Sequence, residues 1–265
     1  MSEKPLTNGC AFTTFRPTRS PGGGIGRRAG FRYLWPQGRG SSSLLLGTIT
    51  AVAVFLETGR LLDIRLHTGD LPDDLDLGDS VAIDTETMGL NPHRDRLCLI
   101  QLSAGDGVCH LVQIPQGHRA APNLKSLIES PDVLKLFHYA RFDIAMLRHY
   151  LDADCRPVYC TKIASRLTRT YTDRHGLKDI CRELLGADIS KQQQSSDWGA
   201  AQLSDAQQQY AASDVLYLHG LKEKLDEMLA REGRTQMAQA AFEFLPTRAE
   251  LDLAGWPDQD IFSHS

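Results

Sequence analysis

The chain has 265 residues, of which 42% are hydrophobic and 23% charged, and its formal net charge is −4 at pH 7. This composition is typical of a soluble globular protein, and the apolar runs are shorter than the roughly 20 residues that a bilayer-spanning helix requires. We therefore expect a cytoplasmic protein without a membrane partner. The slight negative charge argues against a passive nucleic-acid binder, but not against an enzyme that holds divalent cations.

The first fifty residues differ in composition from the rest. They contain seven Lys or Arg residues, one acidic residue, and Gly-rich and Ser-rich stretches at 22–26 and 41–43. Such a segment offers little packing material, so we predict that residues 1–60 form a disordered extension. An organellar targeting peptide, a basic arm that contacts nucleic acid, and an incorrectly assigned start codon all fit this composition. We favour the last, because the segment has no apolar stripe at helical spacing.

From residue 62 onward, strands come first and helices follow. We predict strands at 81–84, 97–102, 108–114, 134–138 and 157–160, with a hairpin turn at Ala104-Gly105-Asp106-Gly107. We predict helices at 124–130, 140–151, 162–168 and 177–185, one long helix at about 205–231, and another within 235–244. This order indicates one α/β domain with a mixed sheet at 61–231, followed by a C-terminal helix and tail at 232–265.

Acidic residues with structured spacing occur in three places. Asp84 and Glu86 end the first strand, where side chains two apart face the same way. Asp143 comes early in the helix that follows the fourth strand. Tyr210 and Asp214 are four apart on the long helix, so they share one helix face. The spacing allows all five side chains to project towards one cleft.

Four carboxylates that meet in one cleft repel one another unless cations lie among them. Mg²⁺ and Mn²⁺ prefer oxygen ligands, and a pair of such ions can stabilise both oxygens of a phosphoryl displacement. A nearby tyrosine hydroxyl could orient the attacking water. Taken singly these signals are weak, because a D-x-E sequence is common in solvated turns and a helical tyrosine usually belongs to the core. Their order along the chain and their placement on a strand and two helices strengthen the interpretation.

That order resembles the DEDDy exonucleases, and specifically the ribonuclease D family. The three motifs are Val81-Ala82-Ile83-Asp84-Thr85-Glu86-Thr87, Phe137-His138-Tyr139-Ala140-Arg141-Phe142-Asp143 and Tyr210-Ala211-Ala212-Ser213-Asp214-Val215. Leu184-Leu185-Gly186 and Ser196-Asp197-Trp198 also resemble the family pattern. The resemblance covers residues 64–230 and implies a ribonuclease H-like fold with a five-stranded mixed sheet flanked by helices.

The resemblance also implies a function and a set of site residues. It implies a 3′→5′ exoribonuclease that uses two divalent ions to release 5′-mononucleotides, with tRNA or another structured RNA as substrate. Asp84, Glu86 and Asp214 would hold one ion, Asp84 and Asp143 the second, and Tyr210 would orient the water. The residues implied to contact the 3′-terminal nucleotide are Thr87, Met88, Gly89, Leu90, His138 and Phe142.

Two departures from the family pattern put substrate contacts in doubt. Ala201-Gln202 stands where many members carry Arg-Pro, and Tyr139 stands where related exonucleases often have Asn. Neither departure removes a carboxylate. A 3′→5′ DNA exonuclease therefore stays open as an alternative, as does a non-catalytic RNA-binding module, which is disfavoured because all four acids are present.

A basic stretch between the second and third motifs has two interpretations. Lys162, Arg166, Arg169 and Arg174 lie on and after a predicted helix. A solvated helix face is the simpler interpretation. The functional one is a phosphate track that leads to the cleft.

Overall fold

The computed structural model describes residues 63–190 and 192–264, so the predicted extension at 1–60 lies outside the described residues. The strands are β1 (Asp63–Thr68), β2 (Ser80–Thr87), β3 (Leu97–Ser103), β4 (Val108–Gln113), β5 (Leu134–Phe137) and β6 (Val158–Cys160). The helices are α1 (Pro122–Glu129), α2 (Ala140–Leu151), α3 (Thr161–Thr168), α4 (Leu177–Leu185), α5 (Asp205–Leu216), α6 (Leu218–Arg231) and α7 (Thr235–Leu253). Within these residues, no helix is both long enough and apolar enough to cross a membrane.

The six strands form one mixed sheet in the order β1-β4-β3-β2-β5-β6. Strand β3 runs antiparallel to its two neighbours, β2 and β4. Strands β2, β5 and β6 are parallel to one another, and β1 is parallel to β4. Because β2 and β5 are parallel neighbours, their carboxyl ends meet at one edge of the sheet. Crevices at the carboxyl ends of such strands are common binding sites in α/β proteins.

Helices cover the central strands. All seven residues of β3 are buried, which requires packing on both faces of the sheet. Helix α5 contacts β2, β3 and β4, while α2 contacts β2, β5 and β6. The β3–β4 hairpin turns through Gly105 and Gly107, whose φ angles of 81° and 93° lie in the region that glycine adopts most easily. Strand β2 therefore lies in the core between α2 and α5.

The α/β class and the mixed sheet flanked by helices are confirmed, but the expected number of strands is wrong. The sheet has six strands rather than five, because Asp63–Thr68 pairs in parallel with β4. This edge strand alternates Ile64 and Leu66 with polar residues, yet most of its residues are exposed. It has too few apolar residues in succession to be recognised in the sequence as a buried strand.

The single long helix expected at 205–231 is also wrong. Two helices, α5 and α6, meet at Tyr217, where the backbone has φ −98° and ψ −7°. The break lets α5 pack on the sheet while α6 packs on α3 and α4, so both apolar stripes are buried. A straight helix would expose one of them.

The C-terminal helix extends nine residues beyond the stretch 235–244 that the sequence suggested. Helix α7 continues to Leu253 through an internal Pro246, which is buried. It packs on α2 and β6, and Asp252 near its end forms ion pairs with Arg141 and Arg248. Tertiary contacts and these ion pairs support a helix that the proline alone would weaken.

Candidate active site

Strand β2 presents two of the predicted carboxylates. Val81, Ala82 and Ile83 are fully buried and fix the strand in the core. Asp84 and Glu86 follow on one face of the strand and are only partly buried, whereas Thr85 between them faces the other way. The acids therefore emerge where the strand leaves the core.

Helix α5 presents Tyr210 and Asp214 on one face. Its start is fixed by a capping box, in which the Gln207 backbone N–H donates to Ser204 Oγ over 3.3 Å and the Ser204 N–H donates to Gln207 Oε1 over 3.0 Å. The Tyr210 ring packs at a tilt against Trp198, with ring centroids 5.9 Å apart. Trp198 is 2% exposed, so this contact limits the positions that Tyr210 can take.

The carboxylates converge as the spacing predicts. Oxygen atoms of Asp84, Glu86 and Asp214 all lie within 4.8 Å of one another, which is a geometry that could hold a metal ion. Asp143, on the first turn of α2, is 4% exposed and accepts a hydrogen bond of 2.6 Å from Thr85 Oγ1. Two strand residues and two helix residues thus bring four acids together.

The cluster is electrostatically unfavourable when every acid is ionised. Burial, followed by repulsion from Asp214 and Asp143, raises the pKa of Glu86 to about 9. Burial also raises the pKa of Asp143 to about 7, although the Thr85 hydrogen bond opposes the shift. The pKa of Asp84 is well above its usual range, first from burial and then from repulsion by Asp143. Cations that bind among these oxygens would relieve this repulsion.

A cleft of about 660 Å³ surrounds the acids. All eleven predicted site residues line it, namely Asp84, Glu86, Thr87, Met88, Gly89, Leu90, His138, Phe142, Asp143, Tyr210 and Asp214. Residues between the second and third motifs also line the cleft, including Gly176 and part of the polar stretch 190–196. Leu177, Lys178 and Ile189 line the cleft without any signal in the sequence, because only the fold carries them there.

A tight turn after β2 carries the residues expected to meet the terminal nucleotide. Thr87 Oγ1 donates to the Gly89 carbonyl over 2.5 Å, and the Asp95 carboxylate accepts the Asn91 N–H over 3.0 Å. A Cβ on Gly89 would lie 2.3 Å from Asp95 Oδ2, so any other residue would displace the Asp95 carboxylate that orders the turn. The turn leaves Leu90 83% exposed at the mouth of the cleft.

His138 and Phe142 frame the opposite wall, with Tyr139 between them. His138 Nδ1 lies 2.9 Å from Thr161 Oγ1, which holds its ring beside the start of α3. Tyr139 is the residue before α2 and has a φ of 71°, an uncommon angle for a residue other than glycine, and it is 46% exposed. Lys162 Nζ lies 4.2 Å from the centre of that ring.

The basic stretch divides into two parts. Arg169 is fully buried and bonds to Glu183, Ser165 Oγ and the Arg174 carbonyl, so the phosphate-track interpretation is wrong for this residue. Lys162 and Arg166 instead line a second cavity of about 270 Å³, which shares Tyr139 with the cleft. Of the four basic residues, Arg174 is exposed, and Lys162 and Arg166 are the two that lie beside the cleft.

Comparison with known proteins adds a family match. The model of the 3′-5′ exonuclease family matches residues 70–230. Ribonuclease D of Gluconacetobacter diazotrophicus is 36% identical over 154 residues, which cover 58% of this chain and 39% of that protein. The chain thus spans about two fifths of the length of the curated relatives it matches.

Some solved structures match a larger share of the chain than the curated relatives do. Brucella melitensis NrnC bound to pGG is 60% identical with a TM-score of 0.75, covering 77% of this chain and all of that one. The same protein with bound Mg²⁺ is 59% identical with a TM-score of 0.74, at the same coverage. Escherichia coli RNase D, described as an exoribonuclease involved in structured RNA processing, is 25% identical with a TM-score of 0.57, covering 65% of this chain and 45% of that one.

Proposed function

The chain belongs to the 3′-5′ exonuclease family, and on that premise we propose that it is a metal-dependent exoribonuclease that removes 5′-mononucleotides from RNA 3′ ends. The observation that carries this proposal is the meeting of four carboxylates and a tyrosine in one cleft at the carboxyl end of β2. An acidic cleft would repel the phosphates of a nucleic acid, so cations are needed for the substrate to enter.

The donor set supports a divalent-ion site for Mg²⁺ or Mn²⁺, and we propose that it holds two ions. Every donor is a carboxylate oxygen, the ligand type that hard cations prefer, and three of them approach within 4.8 Å. We assign Asp84, Glu86 and Asp214 to one ion, and Asp84 with Asp143 to the second. When bound, the ions would supply the charge that stabilises the attacking and leaving oxygens of phosphodiester hydrolysis.

The remaining side chains bind and orient. The Tyr210 hydroxyl, on the same helix face as Asp214, would hold the attacking water in line with the terminal phosphodiester. The turn 87–90 would receive the last nucleotide, with the exposed Leu90 side chain against its base. His138 and Phe142 would close the other wall of the cleft. Such positioning is a large part of catalysis when the chemistry is a displacement at phosphorus.

We propose short 5′-phosphorylated RNA, rather than long RNA, as the preferred substrate. The relative that binds pGG is 60% identical over its whole length, whereas ribonuclease D of G. diazotrophicus is 36% identical over 39% of its length. A cleft of about 660 Å³ is also within the size range of small-ligand pockets. Processing of tRNA or another structured RNA, which the resemblance implied, is the competing substrate class.

A degradation assay tests the proposal. The full-length protein and an Asp84→Asn control would be given 5′-labelled pGG, a longer single-stranded RNA, a tRNA with a 3′ extension, and the DNA counterparts, each with Mg²⁺, Mn²⁺ or EDTA. We expect shortening from the 3′ end, lost in EDTA and in the control, with the highest kcat/KM on pGG.

Each other outcome selects a different function. Faster cleavage of tRNA than of pGG would favour structured-RNA processing. Equal or faster shortening of DNA would indicate a DNA exonuclease, because a site that reads the ribose 2′-hydroxyl discriminates against DNA. Binding without cleavage of any substrate would indicate the RNA-binding module and would refute the enzymatic proposal.

A further inference from the structure

Gln101 is a polar residue at the centre of an apolar strand. It lies in β3 between Ile100 and Leu102, and all three side chains are fully buried. Moving an amide from water into apolar surroundings costs free energy unless its donors and acceptor find partners. A glutamine at this position therefore requires a compensating interaction.

Its partner is a carboxylate of the acidic cluster. Gln101 and Asp84 are directly opposite each other in the β2–β3 ladder, so their side chains share one face of the sheet. The Gln101 Nε2 donates to Asp84 Oδ2 over 3.4 Å, which is long for a hydrogen bond. The Gln101 Oε1 has no hydrogen-bond partner in the part of the chain that the structure describes. One long bond does not offset the burial of the amide, so protein stability does not account for this residue.

We propose that Gln101 is a positioning residue for the divalent-ion site, and that its amide fixes the plane of the Asp84 carboxylate. This inference rests on the proposed function of the cleft. Asp84 is the acid assigned to both ions, and repulsion from Glu86, Asp143 and Asp214 would otherwise rotate it away from the cluster. Hydrogen-bond partners of metal ligands set ligand orientation, and their loss typically weakens metal affinity or activity about 10–100-fold.

A purely structural role and a positioning role predict opposite effects on stability. Gln101→Met keeps the length of the side chain and removes the buried amide. If the amide serves the ion site, the metal-free variant should unfold at the wild-type temperature or above it, because an unsatisfied acceptor has been removed. If the amide serves the fold, the same variant should unfold at a lower temperature.

Ser103→Ala provides a matched control on the same strand and face. Ser103 is also fully buried, and its hydroxyl donates to the Val108 carbonyl over 2.7 Å at the hairpin. Its loss should lower the Tm without changing ion binding. The two variants therefore separate damage to β3 from damage to the cluster.

The experiment measures Mn²⁺ binding by isothermal titration calorimetry, and the Tm in EDTA, for the full-length wild type and both variants. We expect Gln101→Met to bind Mn²⁺ about tenfold more weakly than the wild type with no loss of Tm. We expect Ser103→Ala to show wild-type affinity and a lower Tm.

Two results would overturn the inference while leaving the proposed function intact. One is wild-type affinity in Gln101→Met, and the other is weaker binding together with a Tm in EDTA below that of the wild type. A wild-type protein that neither binds Mn²⁺ nor degrades RNA would refute the proposed function itself, and this inference with it.

Discussion

The Thr85 hydroxyl donates a hydrogen bond of 2.6 Å to Asp143 Oδ1 and thereby joins strand β2 to helix α2. Both residues are buried, with exposures of 6% and 4%. Because Thr85 lies between Asp84 and Glu86 and points to the opposite face, one short segment presents two carboxylates and orients a third. All three residues of the Asp84-Thr85-Glu86 sequence therefore serve the acidic cluster, and not only the two acids.

Replacing Thr85 by Val should weaken the site without emptying it. The change removes the donor to Asp143, and loss of a ligand's hydrogen-bond partner typically costs about tenfold or more in metal affinity or activity. The lost bond also held the pKa of Asp143 down in the metal-free protein, so the pH at which Mn²⁺ binding is half-maximal should shift upward. Mn²⁺ titrations across pH would test this, with Thr85→Ser as the control that retains the hydroxyl. Wild-type behaviour of Thr85→Val would contradict the role of the bond.

Asp214→Asn should abolish hydrolysis while leaving the fold intact. A bound metal contributes several kcal/mol of transition-state stabilisation, and each 1.36 kcal/mol is a factor of ten, so we expect a loss of at least about a hundredfold. The metal-free variant should have a higher Tm than the wild type, since one charge of a repelling cluster is gone. The exposed Asp132→Asn is a matched control. Wild-type rates in Asp214→Asn would exclude Asp214 from the site.

Tyr210→Phe should lower kcat far more than it lowers ion affinity. The hydroxyl is assigned to the water and not to an ion, and its hydrogen bond to Asp214 is a secondary contact to one ligand. Loss of a positioned side chain that assists the reacting group typically lowers the rate by about 10²–10⁴-fold. Single-turnover rates and Mn²⁺ titrations would be compared with Tyr150→Phe, a half-buried tyrosine outside the cleft. Loss of Mn²⁺ binding in Tyr210→Phe would mean that the phenol belongs to the ion site.

The metal-free protein should lose stability as the pH rises. The pKa values of Asp143 and Glu86 in the fold, about 7 and about 9, exceed those of unfolded carboxylates. The folded state therefore binds more protons between pH ~4 and ~9, so the free energy of unfolding decreases with pH in that window. In EDTA the Tm should fall from pH 5 to pH 8. Each kcal/mol lost from the free energy of unfolding lowers the Tm by about 2–4 °C. A rising Tm would contradict the assignment, and Asp214→Asn should flatten the slope.

Neutralising Lys162 and Arg166 should weaken substrate binding in a salt-dependent manner. Neither residue forms an ion pair among the described residues, and both line the cavity next to the cleft. For Lys162→Gln with Arg166→Gln we expect a higher KM, and a log-log salt slope that is smaller by about 0.7 for each lost phosphate contact with a single strand. Arg182→Gln, on α4 and paired with Asp179, is the control. An unchanged salt slope would remove these cations from the substrate path.

Local spacing explains why the sequence located the acids. The pairs Asp84/Glu86 and Tyr210/Asp214 are set by strand and helix periods, and the structure brings both pairs and Asp143 into one cleft. Their roles in binding ions and water remain predictions. The α/β class could be predicted because apolar runs with strand spacing come before runs with helical spacing. Strands and helices in this order pack in only a few layered arrangements.

The features that the sequence did not predict depend on tertiary contacts. Most residues of strand β1 are exposed, so its alternation of Ile64 and Leu66 with polar residues was the only signal. The break at Tyr217 involves neither Gly nor Pro and follows from packing against two different surfaces. Gln101 is hidden in an apolar run, and only the register with Asp84 reveals what its amide contacts.

The three elements that carry the acids are far apart along the chain. Thr85 and Asp143 are separated by 58 residues, and Asp214 lies a further 71 beyond. No fragment that lacks one of these elements can assemble the cluster, so a divalent ion bound there would favour the folded domain over any form in which β2, α2 or α5 is unfolded. Its binding free energy would then add to global stability in proportion to the logarithm of its concentration. Cation supply would thus govern how long the protein survives proteolysis as well as the rate of the proposed reaction.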